Sequence, residues 1–154
     1  MTIESDEYYI NLALKEAEKA MANGDIPVGV VIVFDGKVVG KGYNQVEKKN
    51  DSLAHAEMIA IKNAIRKVGY KHLLDCTMYV TLEPCSMCAG AIVLARLKKV
   101  IYAANDPKTG AMGSLYNIPQ DERLNHFVQI ESGILENKSS ELIKSFFRGL
   151  RRKD

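Results

Sequence analysis

Apolar positions change their spacing along the chain, and each change marks an element. Ile10, Leu14, Ala17 and Met21 recur every three or four residues, so they share one helix face. Ser5 can cap that helix, Asp6 and Glu7 suit its positive end, and Asn23-Gly24 closes it. Residues 28–34 are valine-rich, residues 37–43 continue the pattern, and Asp35-Gly36 between them is a tight-turn pair; together they predict a β-hairpin. The polar stretch 44–53 predicts a loop. Met58, Ile61, Ile65 and Val68 mark one face of a second helix, from near Ala54 to Val68, with Gly69 as its stop. Residues 77–81 predict a strand, Pro84 suits the first turn of a third helix, and residues 99–103 predict a further strand. Residues 105–113, with Pro107, Gly110 and Gly113, predict a loop. Residues 127–132 predict a fifth strand. Residues 139–152 predict a last helix with Leu142, Ile143, Phe146, Phe147 and Leu150 turned inward. Helix, hairpin, then alternating helices and strands predict an α/β fold, a three-layer α/β/α arrangement with a mixed five-stranded sheet. With no repeat, low-complexity tract or linker, residues 1–154 are expected to form a single domain.

Composition narrows the class. A chain of 154 residues that is 47% apolar can bury a real core. No stretch approaches the roughly 20 apolar residues of a membrane span. The acidic start, Ile3-Glu4-Ser5-Asp6-Glu7, lacks the basic and apolar regions of a signal peptide. Three cysteines are an odd set, and Cys85 and Cys88 form a Cys-x-x-Cys, which favours metal binding in a reducing compartment over disulfides. A cytoplasmic protein is expected, with Cys76 as a small buried apolar residue. The net charge of +2 favours no partner. Lys144, Arg148, Arg151, Arg152 and Lys153 nonetheless make the last helix basic, a candidate phosphate contact. Taken alone, cations complementing the negative end of a solvated helix explain these residues better.

Chemistry concentrates at two short motifs, His55-Ala56-Glu57 and Pro84-Cys85-Ser86-Met87-Cys88. Imidazole and thiolates suit zinc, and a catalytic zinc takes three protein ligands and leaves a position for water. His55, Cys85 and Cys88 make that set, and Glu57 stays free to move a proton. Both motifs are expected in the first turns of helices, where Cys85 and Cys88, three residues apart, share a face. Positive helix ends there favour thiolate and hydroxide. A structural zinc site would need a fourth ligand. His72 and His126 have no partner at short spacing and are expected on the surface or hydrogen-bonded. A thioredoxin-like redox pair would not need the His-x-Glu.

The joint H-x-E…P-C-x-x-C arrangement resembles that of zinc-dependent nucleobase deaminases. Leu53-Ala54-His55-Ala56-Glu57-Met58 and the run from Tyr79 through Thr81-Leu82-Glu83 to Ala91 resemble the bacterial tRNA-specific adenosine deaminases, within the cytidine deaminase-like fold. So do Asp106-Pro107-Lys108-Thr109-Gly110-Ala111, Gly113-Ser114-Leu115, Leu124-Asn125-His126 and Phe146-Phe147-Arg148; the likeness spans residues 8–152. Ser52-Leu53, Ala95-Arg96-Leu97 and Ala103-Ala104 depart from the family's pattern without touching a proposed ligand. The resemblance implies a homodimer that converts adenosine to inosine at the wobble position of a tRNA anticodon. It places Zn2+ on His55, Cys85 and Cys88, and proton transfer on Glu57. It puts Asn44 on the flipped base; in the deamination this predicts, the backbone N–H groups of Ala56 and Cys85 are expected to help orient water and base. Asp106, Lys108, Asn125, Arg148 and Arg151 would face the anticodon stem-loop. A deaminase of a free base or nucleoside is the rival that keeps the chemistry, and a zinc-stabilised RNA-binding module the one that discards it.

Overall fold

The computed structural model describes residues 4–153, with 151–153 described by backbone alone. Helix α1 (Asp6–Ala22) starts at Ser5, whose side chain accepts the Tyr8 N–H at 3.2 Å. The hairpin follows as β1 (Gly29–Phe34) and β2 (Lys37–Tyr43), joined through Asp35 and Gly36, both at positive φ, as the turn requires. A four-residue helix α2 (Val46–Lys49) interrupts the expected loop. Then come α3 (Ala56–Val68), β3 (Thr77–Leu82), α4 (Ser86–Leu94), β4 (Lys99–Ala104), β5 (Gln129–Ser132) and α5 (Glu136–Lys153).

Among the described residues the five strands form one mixed sheet in the order β2-β1-β3-β4-β5, with β1 antiparallel to both neighbours and β3, β4 and β5 parallel. Alternate residues divide the core. Val30, Ile32, Met78, Val80 and Val100 face α3 and α4, while Val31, Val33, Tyr79 and Ile101 face α1 and, through Leu142, α5. That gives the three expected layers.

This topology sends four chain segments to one end of the sheet. The start of β1 lies there, and so do the ends of β2, β3 and β4, the edge where α/β proteins place their sites. Glycine sets how closely the helices approach. A Cβ on Gly42 of β2 would overlap the Ala56 carbonyl and the Ala60 amide of α3. Helix α3 therefore lies directly on the strand.

Several boundaries differ from the sequence expectation, each for a local reason. Helix α3 begins at Ala56, because His55 N–H bonds to Leu53 O at 2.8 Å and Ala54 N–H to Asp51 O at 3.1 Å in the preceding turn. Pro84 precedes α4 instead of opening it, and Cys85 takes the capping position. Strand β5 excludes Phe127, which is 55% exposed. Helix α5 starts three residues before Ser139, at Glu136, and is anchored over the sheet by its first half. Beyond it, among the side chains that are described, only Phe146 is buried; Phe147 (38% exposed) and Leu150 (44%) face outward, against the inward placement expected for them.

Gly42→Ala is expected to destabilise the protein by about 1–3 kcal/mol through overpacking. Chemical denaturation checks this, and an unchanged midpoint would show that α3 can back away from the strand.

Candidate metal centre

His55 and Cys85 occupy the capping positions of α3 and α4, with extended backbones and no side-chain bond to the helix they precede. A side chain there projects beyond the helix end. Helices α3 and α4 thus aim His55 and Cys85 at one point, and Cys88, in the first turn of α4, completes a triangle. Nδ1 of His55 lies 3.6 Å from Sγ of Cys85 and 3.6 Å from Sγ of Cys88. All three ligand atoms fall within 4.8 Å of one another. Zinc bonds of 2.0–2.1 Å to nitrogen and 2.3 Å to sulfur, set at tetrahedral angles, require nitrogen–sulfur separations of about 3.6 Å. The donor set fits zinc in chemistry and in spacing.

Electrostatics agree. The hydrogen bond with Cys85 raises the His55 pKa, against the opposing effect of burial. The Cys85 thiol is held down at about 4, first by the hydrogen bond from Cys88 and next by that with His55. Cys88 is pushed up because it is the donor in that pair and because it is buried. One proton shared by two thiols is what a divalent cation displaces. Glu57, on the first turn of α3, is 4% exposed, and burial pushes its carboxyl up to about 7. A carboxyl with that affinity can both take and return a proton near neutral pH.

These groups open on a cavity of about 310 Å3 lined by Asn44, His55, Ala56, Glu57, Glu83 and Asp106, among others. Its size falls in the roughly 300–1,000 Å3 range of small-molecule sites. Asn44 is 8% exposed; its amide donates weakly to Ile26 O at 3.4 Å, while its Oδ1 is buried with no partner among the described residues. A buried polar atom left open beside a cavity is a hydrogen-bonding position for whatever enters.

The remaining expected residues divide. The Asp106 carboxylate reaches the cavity wall but is engaged with its own loop, accepting the Lys108 N–H at 3.0 Å and the Thr109 hydroxyl at 2.7 Å. Lys108 instead lines a groove with Ile143, Lys144, Phe147 and Arg148 of α5. Arg148 is exposed and 3.8 Å from Glu141. Asn125 is exposed and lines neither the cavity nor the groove. The side chain of Arg151 lies outside the described residues. His72 packs edge-on against Tyr70, and His126 bonds to Leu97 O, so both stand apart from the metal group as expected.

Two buried carboxylates escaped the sequence reading. Asp25, 1% exposed, accepts the Glu47 N–H at 2.7 Å and the Lys48 N–H at 3.2 Å, and so holds the start of α2 beside Asn44. Glu83, 2% exposed, grips the loop after β4. An acid beside a strand end carries no local signal of burial; Glu83 stood within the recognised Thr81-Leu82-Glu83 run, but nothing there gave it a role.

The family of cytidine and deoxycytidylate deaminase zinc-binding regions matches residues 3–104 of the chain. A tRNA-specific adenosine deaminase from Bacillus subtilis (strain 168) is 46% identical over 148 residues, 96% of this chain and 92% of the relative. A solved structure described under biochemical and structural studies of A-to-I editing by tRNA:A34 deaminases at the wobble position of transfer RNA is similar with a TM-score of 0.84. It is 38% identical and covers 88% of this chain and 98% of that one. A guanine deaminase structure from Bacillus subtilis is 42% identical with a TM-score of 0.63, over 66% of each chain.

Cys88→Ala is expected to reduce bound zinc to near zero, read by metal analysis of the purified protein. In the unaltered chain, acidification releases the ion, since protons compete for His55 and for both thiolates as pH falls. Stoichiometric zinc in the variant would remove Cys88 from the ligand set.

Proposed function

We propose that this chain, which belongs to the cytidine and deoxycytidylate deaminase zinc-binding family, hydrolytically deaminates adenosine to inosine at the wobble position of a tRNA anticodon. One observation carries the reaction type: a buried carboxyl, Glu57, that is free of the ligand triangle yet lies beside it on the cavity wall. A purely structural metal site gains nothing from such a group. The similarity to tRNA-specific adenosine deaminases over nearly the whole chain supports the substrate, as does the groove of Lys108, Lys144 and Arg148 on α5.

His55, Cys85 and Cys88 would hold zinc, which when bound supplies a Lewis acid that lets water ionise near neutral pH. Glu57 takes a proton from the attacking water. The water oxygen adds to C6 of adenine while Glu57 passes that proton to the ring nitrogen; Glu57 then carries the second proton from the new C6 hydroxyl to the amine, the C–N bond breaks, and ammonia leaves C6 as a carbonyl. Asn44 offers its unpartnered Oδ1 to the nucleotide in the cavity, and the Ala56 backbone lies on the same wall. Such a cavity cannot receive a base held in a stem, so the substrate is an unpaired loop nucleotide. Lys108, Arg148 and Arg151 are assigned to phosphate contacts, Asp106 to shaping the loop that faces the RNA, and Asn125 to a more distant contact.

The same reading takes residues 1–154 as one catalytic domain and places it in the cytoplasm, where its substrate resides; among the described residues no helix is long and apolar enough to cross a membrane. It also includes a homodimer. Leu53 (61% exposed), Met58, Ile59 and Met87 line a second groove along α3 and the start of α4, an apolar strip flanked by Lys49, Lys62 and Arg66 that is suited to a second copy. Leu53→Asp is expected to shift the protein from dimer toward monomer in sedimentation; a wild-type monomer would remove the homodimer.

Purified protein is incubated with an anticodon stem-loop carrying wobble adenosine and, separately, with free adenosine, cytidine and guanine. Inosine is expected in the RNA alone; ammonia from a free base or nucleoside only would keep the chemistry and overturn the substrate. Glu57→Ala is expected to retain zinc and lose about 10²–10⁴-fold in turnover. Near-normal turnover would remove Glu57 from proton transfer.

A further inference from the structure

We propose that Glu83 is a positioning residue for substrate recognition, which registers the loop of residues 106–114, and with it Lys108, against the turn that carries Cys85. The inference rests on the tRNA deaminase reading for the consequence it gives that loop. Its structural part stands on geometry alone.

Glu83 follows β3 directly and lies two residues before Cys85. Oε1 accepts the Asp106 N–H at 3.0 Å and the Ser114 hydroxyl at 2.5 Å. Oε2 accepts the Met112 N–H at 3.0 Å and the Ser114 N–H at 3.1 Å. An ionised carboxylate offers about four lone-pair sites, and here each has a donor. Among the described residues no Lys or Arg forms an ion pair with it. Its charge is met by backbone dipoles of the loop itself.

The bonds fall at both ends of the loop, Asp106 at the start and Met112 and Ser114 at the finish, so one side chain closes it. The middle is seated as well. Gly110 lies against the carboxyl group, and a Cβ there would overlap Glu83 and the Asp106 carbonyl. Gly110 also pairs with Cys85 in an antiparallel bridge, and the Ala111 N–H donates to Pro84 O at 2.9 Å. Asp106, fixed at its amide by Glu83, turns the chain by accepting the Lys108 and Thr109 N–H groups at 3.0 and 3.2 Å. That turn delivers Lys108 to the groove with Lys144, Phe147 and Arg148. The separation between the ligand turn and the cationic groove is therefore set by the Glu83 carboxylate at both ends of the loop, together with the two backbone contacts at its middle.

Glutamine is the same size but cannot do this. Its carbonyl can take two of the four donors, and its NH2 group would face the other two. Glu83→Gln thus releases one side of the loop without opening a cavity. Ser114→Ala removes a single bond at an exposed position, and Gly110→Ala pushes the loop away with the carboxylate intact.

The test uses zinc-loaded, full-length protein with two readouts: amide hydrogen exchange at Asp106, Met112 and Ser114, and KM against kcat on the wobble-adenosine stem-loop. In Glu83→Gln, exchange at those amides is expected to accelerate while zinc stays stoichiometric. KM is expected to rise about tenfold or more, with kcat changed much less. Ser114→Ala gives a smaller rise of the same kind, and Gly110→Ala reproduces the KM effect. Unchanged exchange and unchanged KM in Glu83→Gln overturn the proposal. So does loss of zinc with global melting in that variant while Ser114→Ala and Gly110→Ala keep the wild-type KM, since Glu83 would then only hold the fold. Failure of the wild-type protein to deaminate the stem-loop overturns the proposed function instead, and the exchange measurement still decides what Glu83 holds.

Discussion

Three side chains hold one zinc ion only if their donor atoms meet within tenths of an ångström of about 3.6 Å, and here His55 and Cys85 stand 30 residues apart in sequence. Two helix starts must therefore be fixed relative to each other more tightly than helices usually are. Three features achieve it. The parallel pair β3 and β4 brackets α4 and sets its direction. Gly42 lets α3 lie directly on β2, so its first turn has no room to drift. Placing His55 and Cys85 at capping positions puts both donors beyond the helix ends, where the positive poles of α3 and α4 converge. Converging helix poles would repel one another without anionic groups between them, so thiolates suit the fold as well as the metal.

The cavity beside this centre is held open by buried acids. Asp25 and Glu83 stand on its walls and bond chiefly to backbone N–H groups, Asp25 at the start of α2 and Glu83 around the loop after β4. A loop near a reaction centre has few apolar side chains to anchor it, because the space they would fill belongs to the substrate. A buried carboxylate solves this with little volume: it needs several donors, and a loop backbone supplies them. Removing such an acceptor strands N–H groups away from water, which gives each wall strong local specification. Asn44 differs. Its Oδ1 lacks a partner among the described residues, so an open hydrogen-bonding position remains on that wall.

Much of this was legible in the sequence, and the rest was hidden for identifiable reasons. Periodicity found the helices and strands because burial on one face is a local property: Val30 and Ile32 alternate with Val31 and Val33 across the sheet as their spacing requires. The His-x-Glu and Cys-x-x-Cys pair disclosed the metal group because ligand chemistry restricts residue type. Boundaries were less visible. Pro84 fits a first helical turn equally well as the residue before a cap, and only packing decides. Phe147 and Leu150 keep the helical spacing of core residues, but past Ser139 and Leu142 only Phe146 of the described α5 side chains is buried, so the stripe continues onto the exposed face. The burial of Asp25 and the bonding of Glu83, although Glu83 stood in a recognised run, were hidden because their partners are mostly backbone amides more than 20 residues away, and amides leave no mark in a sequence.

The same architecture separates the metal group from the cationic groove. The region matched by the zinc-binding deaminase family ends at residue 104, the last residue of β4. It contains the triangle of His55, Cys85 and Cys88, with Glu57 and Asn44 on the cavity wall beside it. The 106–114 loop and α5, with Lys108, Lys144 and Arg148 around one groove, lie beyond it. A fold divided this way can keep its reaction and change its substrate by altering only the segments after β4, provided these stay in register with the earlier ones. Register is a matter of a few bonds crossing that boundary. Glu83 lies inside the matched region and all four of its donors lie outside it, so its bonds run from the segment that carries the metal ligands to the segment that carries Lys108.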